Sequence, residues 1–336
     1  MRIIDHALAV FKAGKPPDAA WPPAHLSLAL QGGGSFGAFT WGVLDRLLQE
    51  PDTRFDIVSG ASAGAVNAAL LAAGLASGGR DAARAKLDSF WRRMSASAAF
   101  LPLGAIRAAP GMGGGIDLMT RVFAPYQFNP FDLNPLREAL LEEVDFERVA
   151  DAAPVRLMIA ATRVDDGKSR IFRGPEITVD AILASACMPL LHRAIEIDGE
   201  AYWDGGYSAN PPLIPIASET EARDILIVRV TPRRNERKPV SARDISRRLD
   251  QITFNATLNA ELEALRLAVE TGASPRLRGL RVSHVAAEDA VERLADHSAL
   301  DLGWAFLSGL RDSGRHAAEE WLSAPPAALT DRPALA

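Results

Sequence analysis

The chain has 336 residues, which is enough for one large domain or two ordinary ones and for a sizeable buried core. Its hydrophobic content of 48% and charged content of 24% are globular averages, so neither disorder nor a membrane span is indicated overall. A net charge of −5 argues against nucleic acid as a general partner, and the single cysteine, Cys187, excludes an internal disulfide.

The N-terminal segment carries no predicted secretory signal, because Arg2, Asp5 and His6 interrupt its only apolar stretch. The most apolar helix candidate, residues 65–76, is rich in alanine and too short to span a bilayer. We therefore expect a soluble, cytoplasmic protein in which residues 1–24 form an N-terminal extension.

The first predicted elements alternate between strand and helix. An apolar run at 26–30 ends at a glycine cluster, as a buried parallel strand does, and helical periodicity follows at 38–50. A second strand is predicted at 55–59, again before a glycine turn, and the helix at 65–76 comes next. This order predicts a βαβ unit and hence an α/β fold with a mostly parallel sheet.

The remaining pattern continues in the same way. Helices are predicted at 81–97, 179–187 and 241–271, with a terminal helix pair at 300–322. Strands are predicted at 155–162, 169–173, 194–197, 224–230 and 280–285. The segment 98–134 is apolar, rich in Pro and Gly, and without clear periodicity, so a lid over a site and a loop packed on the core are equally good interpretations.

Ser62 is the first candidate for chemistry, because it lies in Gly60-Ala61-Ser62-Ala63-Gly64 between a predicted strand and a predicted helix. Flanking glycines let such a turn adopt strained dihedral angles and leave the hydroxyl uncovered. The helix N-terminus that follows favours developing negative charge. The alternative is a serine that simply caps an ordinary helix.

The first glycine turn, Gln31-Gly32-Gly33-Gly34-Ser35-Phe36-Gly37, can present consecutive N–H groups to an anion. It does not match a phosphate loop, since no Gly-Lys-Ser/Thr follows. A dinucleotide site is disfavoured as well, because the acidic residue expected about twenty positions on is replaced by the turn around Ser62. An oxyanion hole formed by Gly32, Gly33 and Gly34 fits this pattern best.

A nucleophilic serine needs a base, and none of the six histidines lies in an obvious strand-end turn, although His192 and His297 stay open. Asp204 is a different candidate, because it follows a short predicted strand and precedes Gly205 and Gly206. Partial burial would raise the pKa of such a carboxyl and suit it to act as a base. An ordinary Asp-Gly turn is the alternative.

The three motifs in this order resemble the bacterial patatin-like phospholipase family. The similarity extends to the block 184–189 (ASACMP) and to Asn210-Pro211-Pro212, and it covers roughly residues 25–230. The resemblance implies a three-layer α/β/α sandwich around a mostly parallel sheet. It also implies a Ser–Asp dyad, with Ser62 as the nucleophile, Asp204 as the general base and an acyl-enzyme intermediate.

The same resemblance fixes the other expectations. Backbone amides of Gly32–Gly34 would hold the oxyanion, and the supporting motif glycines would be Gly37, Gly60, Gly64, Gly205 and Gly206. No cofactor and no metal are expected, and the partner is a lipid ester substrate. The expected organisation is a patatin-like catalytic core at 25–230, a mostly helical C-terminal extension packed on that core at 231–322, and a tail at 323–336.

One departure from the family pattern concerns Phe36, since many members carry Arg or Lys at this position. The backbone amides are unaffected, but a fixed positive charge is lost, which argues against a preference for strongly anionic head groups. A basic segment at 232–248 offers a peripheral contact with an anionic membrane, although a charge run is often only a solvated face. Cys187 is predicted to be a buried core thiol within a helix.

Several functional hypotheses are open on these residues. The first is a serine hydrolase that cleaves lipid acyl esters through Ser62 and Asp204. A non-catalytic lipid- or granule-binding protein with the same fold is the second, and an enzyme with a Ser–His–Asp triad is the third. The motifs do not separate phospholipid, neutral glyceride, thioester and polyester substrates, and they leave homo-oligomerisation open.

Overall fold

The computed structural model describes residues 21–100, 134–235, 238–277, 279–291 and 294–323. Within these ranges one mixed sheet has eight strands: β1 (His25–Leu30), β2 (Arg54–Gly60), β3 (Arg156–Arg163), β4 (Ser169–Arg173), β5 (Ile195–Ile197), β6 (Glu200–Asp204), β7 (Asp224–Arg229) and β8 (Arg281–Ala286). Their order is β5-β6-β3-β2-β1-β7-β8, and β4 pairs with β3 outside this path. The five neighbours from β3 to β8 are parallel, whereas β4, β5 and β6 join by antiparallel pairing.

The described helices are α1 (Gly37–Leu47), α2 (Ala63–Phe100), α3 (Pro135–Glu143), α4 (Phe146–Ala152), α5 (Val179–Ser185), α6 (Leu213–Glu219), α7 (Ala242–Glu270), α8 (Ala287–Ala290) and α9 (Trp304–Ser323). The helices predicted at 65–76 and 81–97 are joined in α2, which bends at Gly78 and Gly79. The predicted terminal pair was wrong, because this stretch holds the single helix α9. Cys187 is buried as predicted, but it follows the end of α5 instead of lying inside the helix.

The sheet is covered by helices on both faces, as the alternation of its buried side chains shows. Leu226 and Val228 of β7 belong to one core, whereas Ile225 and Ile227 of the same strand belong to the other. Side chains of α1, α2 and α9 complete the first core, and those of α6 and α7 complete the second. Because neighbouring residues of a strand point to opposite faces, a strand buried on both sides is apolar throughout. The predicted three-layer α/β/α sandwich is therefore confirmed.

The pairing of β3 brings the end of β6 to the end of β2. β3 pairs with β2 up to Gly60 and Ile159, and with β6 from Ala161 and Asp204 onward. β4 pairs with β3 alongside both of these parts of the strand. β2 and β6 must therefore lie one after the other along the other edge of β3. Asp204 thus lies at the carboxyl end of the strand that leads to Ser62.

The part of the chain beyond residue 230 contributes to the sheet itself. β8 pairs with β7 over six residues, and α9 packs on α1 so closely that a Cβ on Gly314 would collide with the carbonyl oxygen of Phe39. The indole N–H of Trp21 donates to the carbonyl oxygen of Leu322 at 2.9 Å, which ties the start of the described chain to α9. The division of the chain at residue 230 stays a prediction.

Most of the segment 98–134 lies outside the described residues, and so do nearly all of the predicted tail and residues 1–20. Among the helices that are described, none is both long and apolar enough to cross a bilayer.

Candidate active site

Ser62 occupies a strained turn between β2 and α2. Its φ is +54°, a left-handed conformation that costs a residue with a Cβ free energy and that persists where the surroundings enforce it. The flanking residues must be glycines because there is no room for a side chain. A Cβ on Gly60 would be 2.5 Å from the backbone of Gly64, and a Cβ on Gly64 would overlap the carbonyl of Leu30. The turn therefore holds the hydroxyl at a fixed point in front of the helix.

The glycine loop after β1 packs directly against this turn. A Cβ on Gly32 would be 2.6 Å from the Cβ of Ser62. The N–H of Gly32 donates to Oδ1 of Asn210 at 2.7 Å. By contrast, the N–H groups of Gly33 and Gly34 donate to no acceptor among the described residues, and both glycines line the same cavity as Ser62. Two of the three predicted amides are thus available to an anion.

A network of buried amide side chains fixes this loop. Oε1 of Gln31 accepts from the N–H groups of Val230 and Thr231 at 2.9 and 3.0 Å. Nε2 of Gln31 donates to Asn255 of α7 at 3.2 Å, and Nδ2 of Asn210 donates to the carbonyl oxygen of Phe254 at 3.0 Å. The loop is therefore anchored to β7 and α7 as well as to β1.

Asp204 is fully buried at the end of β6. Oδ1 accepts a hydrogen bond from the N–H of Gly206 at 2.7 Å, whereas Oδ2 has no partner among the described residues. Burial raises the pKa of this carboxyl to about 7, and the Ser62 hydroxyl and the Gly206 amide partly oppose that rise. A carboxyl with a pKa near neutrality can accept and return a proton.

The hydroxyl of Ser62 lies close enough to Asp204 to lower the pKa of the carboxyl, yet the two do not form a hydrogen bond of normal geometry. Such bonds are often long before substrate binds and shorten in the complex. One short segment holds both residues by their backbones. The N–H of Ser62 donates to Oγ and to the carbonyl oxygen of Ser185 at 3.0 and 3.1 Å, and the N–H of Asp204 donates to the carbonyl oxygen of Cys187 at 2.8 Å.

Ser62 and Asp204 open into a cavity of about 270 Å³. Its apolar wall comes from Phe36, Met188, Leu190, Leu191, Tyr207, Phe254 and Leu300. Phe36 is almost fully buried, and its ring packs edge-on against Phe306 at 6.2 Å between centroids. Phe36 is therefore part of the apolar packing and adds no charge to the cavity.

The two histidines that were considered as alternative bases, His192 and His297, lie in different places. His297 lines the cavity, and its ring stacks on Phe306 with centroids 4.7 Å apart. No hydrogen bond joins His297 to Ser62 or Asp204 within the described part of the chain. His192 does not line the cavity.

The supporting motif glycines lie around the same site. Gly37 begins α1, and Gly205 and Gly206 form a tight turn directly after β6. Sequence reasoning did not assign roles to Asn210 and Ser185, although both stand in the blocks that carry the family resemblance. Their roles depend on contacts with residues more than a hundred positions away, which no local pattern reveals.

Three arginines among the described residues of the basic segment 232–248 make contacts within the protein. Arg233 pairs with Glu288, and Arg248 donates to the carbonyl oxygen of Arg233 at 2.8 Å. Arg247 lies 3.8 Å from Asp244. These three guanidinium groups tie the start of α7 to neighbouring residues.

The protein is thus an α/β/α sandwich in which a strained serine lies on a strand–helix turn close to a buried carboxyl, an arrangement typical of a nucleophile elbow. The chain belongs to the patatin-like phospholipase family, whose family model matches residues 28–217.

Two individual proteins are similar to parts of this chain. A protein of Escherichia coli (strain K12) described as "Uncharacterized protein YjjU" is 26% identical over 211 residues, which cover 62% of this chain and 53% of that protein. The chain thus matches only about half the length of this curated relative. The crystal structure of VipD from Legionella pneumophila is similar at a TM-score of 0.46 and 13% identity, covering 90% of this chain and 67% of that one.

Proposed function

We propose that the protein is a serine hydrolase that cleaves the acyl esters of lipids through Ser62 and Asp204. One observation carries the proposal: a serine in a left-handed, glycine-flanked turn shares a cavity with a buried carboxyl whose second oxygen has no partner among the described residues. Membership of the patatin-like phospholipase family supports a lipid ester as the substrate.

In the proposed acylation step, Oδ2 of Asp204 takes the proton of the Ser62 hydroxyl as Oγ attacks the ester carbonyl. The carbonyl oxygen becomes negative and is stabilised by the N–H groups of Gly33 and Gly34. When the C–O bond to the alcohol breaks, the alcohol leaves with the proton from Asp204, and the acyl group stays on Ser62.

Deacylation follows the same route with water as the nucleophile. Asp204 takes a proton from water, whose oxygen attacks the acyl carbonyl, and the same two amides stabilise the second oxyanion. Oγ of Ser62 then leaves and regains the proton from Asp204, which releases the free acid.

The direct test is hydrolysis of 4-nitrophenyl esters combined with labelling by a fluorophosphonate probe. We expect Ser62→Ala to abolish both labelling and turnover, and Asp204→Asn to lower turnover by about 1,000-fold or more. Ser246→Ala is the matched control, because Ser246 lines the same cavity and has no hydrogen bond to Ser62 or Asp204 among the described residues. Normal turnover in Ser62→Ala would contradict the assignment.

The same experiment addresses the rival hypotheses. A lipid- or granule-binding protein without catalysis predicts no labelling of Ser62 in the wild type. To define the substrate class, phospholipid, neutral glyceride, thioester and polyester substrates should be compared with wild type and Ser62→Ala, because the residues of the dyad act on any of them.

A peripheral contact with a lipid surface, and a cytoplasmic location, stay predictions. The observation that favours the contact is an exposed apolar stripe on α7, formed by Ile245, Leu249 and Ile252 beside the cavity. Vesicle sedimentation of wild type and Leu249→Ser, with anionic and zwitterionic vesicles, tests it. Equal sedimentation of the two proteins would count against it.

A further inference from the structure

The wall of the cavity formed by α7 contains an acidic residue beside two aromatic rings. Asp250 and Phe254 are four residues apart, so they lie on one face of the helix, and both line the cavity. The ring of Tyr207 packs edge-on against Phe254, with centroids 5.2 Å apart. Burial raises the pKa of Tyr207 to about 12, and the charges of Asp204 and Asp250 add to the rise.

Asp250 has no ion-pair or hydrogen-bond partner among the described residues. Burial alone raises the pKa of its carboxyl, with no nearby cation to oppose it. Arg247 also lines the cavity, but it lies 3.8 Å from Asp244 and donates to the carbonyl oxygen of Ala295 at 3.4 Å. In the described part of the cavity wall, the carboxyls of Asp204 and Asp250 therefore outnumber the single guanidinium group.

Phe36 lines the same cavity and adds an apolar ring without charge. A negatively charged wall repels an anionic group and attracts a cationic one, and the side chains of Asp250 and Tyr207 are exposed enough to meet it. Substituted ammonium groups bind over aromatic faces, and a carboxylate beside the rings adds Coulomb attraction. We propose that Asp250, Tyr207 and Phe254 form a subsite for a positively charged nitrogen in the head group of the ester substrate.

This proposal rests on the proposed hydrolase function and names its substrate class: esters with a cationic or zwitterionic head group of the choline or ethanolamine type. The sharpest comparison uses a choline ester and its uncharged 3,3-dimethylbutyl isostere with the same acyl chain. The two differ in charge and hardly in shape, so the ratio of their kcat/KM values isolates recognition of the charge.

We expect wild type to prefer the choline ester by about tenfold. Asp250→Asn should bring the ratio close to one, and Asp250→Lys should reverse it. Tyr207→Leu should lower the ratio through loss of the aromatic face. Glu263→Gln is the control, because this acidic residue of α7 pairs with Arg266 and does not line the cavity; its ratio should stay at the wild-type value.

The two levels of the proposal fail in different ways. The subsite is overturned if the wild-type ratio is near one or if Asp250→Asn leaves the ratio unchanged. If the nitrophenyl ester is hydrolysed normally in that case, the proposed hydrolase function is unaffected. If wild type hydrolyses no ester, the subsite is tested by calorimetric binding of the choline ester and its isostere to Ser62→Ala. Tighter binding of the choline ester would support the subsite, and equal affinity for the two compounds would overturn it.

Discussion

Asp204 combines two demands that usually conflict. Its burial at the end of β6 disfavours the charged form of the carboxyl, whereas the proposed proton transfer from Ser62 requires that form. A pKa of about 7 reconciles them, since the carboxyl is ionised in much of the protein near neutral pH and still binds a proton readily.

The pH dependence of hydrolysis should follow this carboxyl. We expect kcat/KM for a nitrophenyl ester to rise about tenfold per pH unit below about pH 7 and to level off above it. A histidine base would give a similar curve, so the profile should be repeated with His297→Asn. An inflection at the same pH favours Asp204, and its disappearance would favour the triad.

The free energy of unfolding, by contrast, should fall as the pH rises. The pKa of Asp204 is raised in the folded protein from the ordinary 3.8 to about 7. The stability that the protein has with this carboxyl neutral is therefore fully present below about pH 4, and it is lost as the pH rises through 7 and the buried group ionises. At pH 8 the ionised carboxyl costs at most about 4 kcal/mol.

Asp204→Asn should therefore be more stable than wild type at pH 8, by a few kcal/mol, and nearly equal to it at pH 4.5. Urea unfolding at the two pH values measures this difference. A variant that is less stable than wild type at pH 8 would contradict the burial cost assigned to the carboxyl.

At the scale of elements, α9 offers a matched pair of glycines. A Cβ on Gly314 would collide with the backbone of α1 at Phe39, whereas a Cβ on Gly309 has nothing within 4 Å. We expect Gly314→Ala to lower the free energy of unfolding by about 2 kcal/mol or more, and Gly309→Ala to raise it by about 0.5–1 kcal/mol. Thermal unfolding of both variants checks the pair, and a loss of stability in Gly309→Ala would show that this face of α9 is not open to solvent.

The glycine loop depends on Asn210, which accepts from the N–H of Gly32 and donates to the carbonyl of Phe254. Asn210→Ala should free this loop from α7 and lower kcat by about 10- to 100-fold with little change in KM, because the amides matter most in the transition state. Thr257→Val on α7 is the control, since its buried hydroxyl has no partner to lose among the described residues. A larger effect on KM than on kcat would exclude this positioning role.

The sequence was sufficient to predict the central strands and to place Ser62 and Asp204 in turns at strand ends, because an apolar run that ends at glycines is a local pattern. Their roles in catalysis stay a prediction. It missed α3, α4 and α6, since short helices of seven to nine residues owe their stability to packing more than to their own periodicity. It could not separate Gly32 from Gly33 and Gly34 either. That distinction depends on Asn210, which approaches from 178 positions away.

At the scale of the whole molecule, the sheet does not end with the residues that match the family model. β8 covers the outer edge of β7, and Leu307 and Leu310 of α9 are fully buried in the same core as α1. The C-terminal part therefore completes the hydrophobic core of the site-bearing half.

Residues 21–230 expressed alone should consequently fail to unfold as one cooperative unit, because they expose the edge of β7 and the apolar face of α1. Circular dichroism and thermal unfolding of this fragment, compared with residues 21–323, provide the measurement. A sharp transition in the shorter fragment would show that the core at 25–230 is an independent domain.

The segment Ser185–Cys187 holds the backbones of Ser62 and Asp204 through two carbonyl oxygens that are only two residues apart in the chain. The distance between Ser62 and Asp204 is thus tied to one tripeptide as well as to the pairing of β3 with β2 and β6. Substitutions elsewhere can alter what the cavity accepts without disturbing this spacing. Insertion or deletion of a single residue at 186, by contrast, would change the reach between the two groups by up to about 3.5 Å, the length of one residue, and would leave each of them intact but out of register with the other.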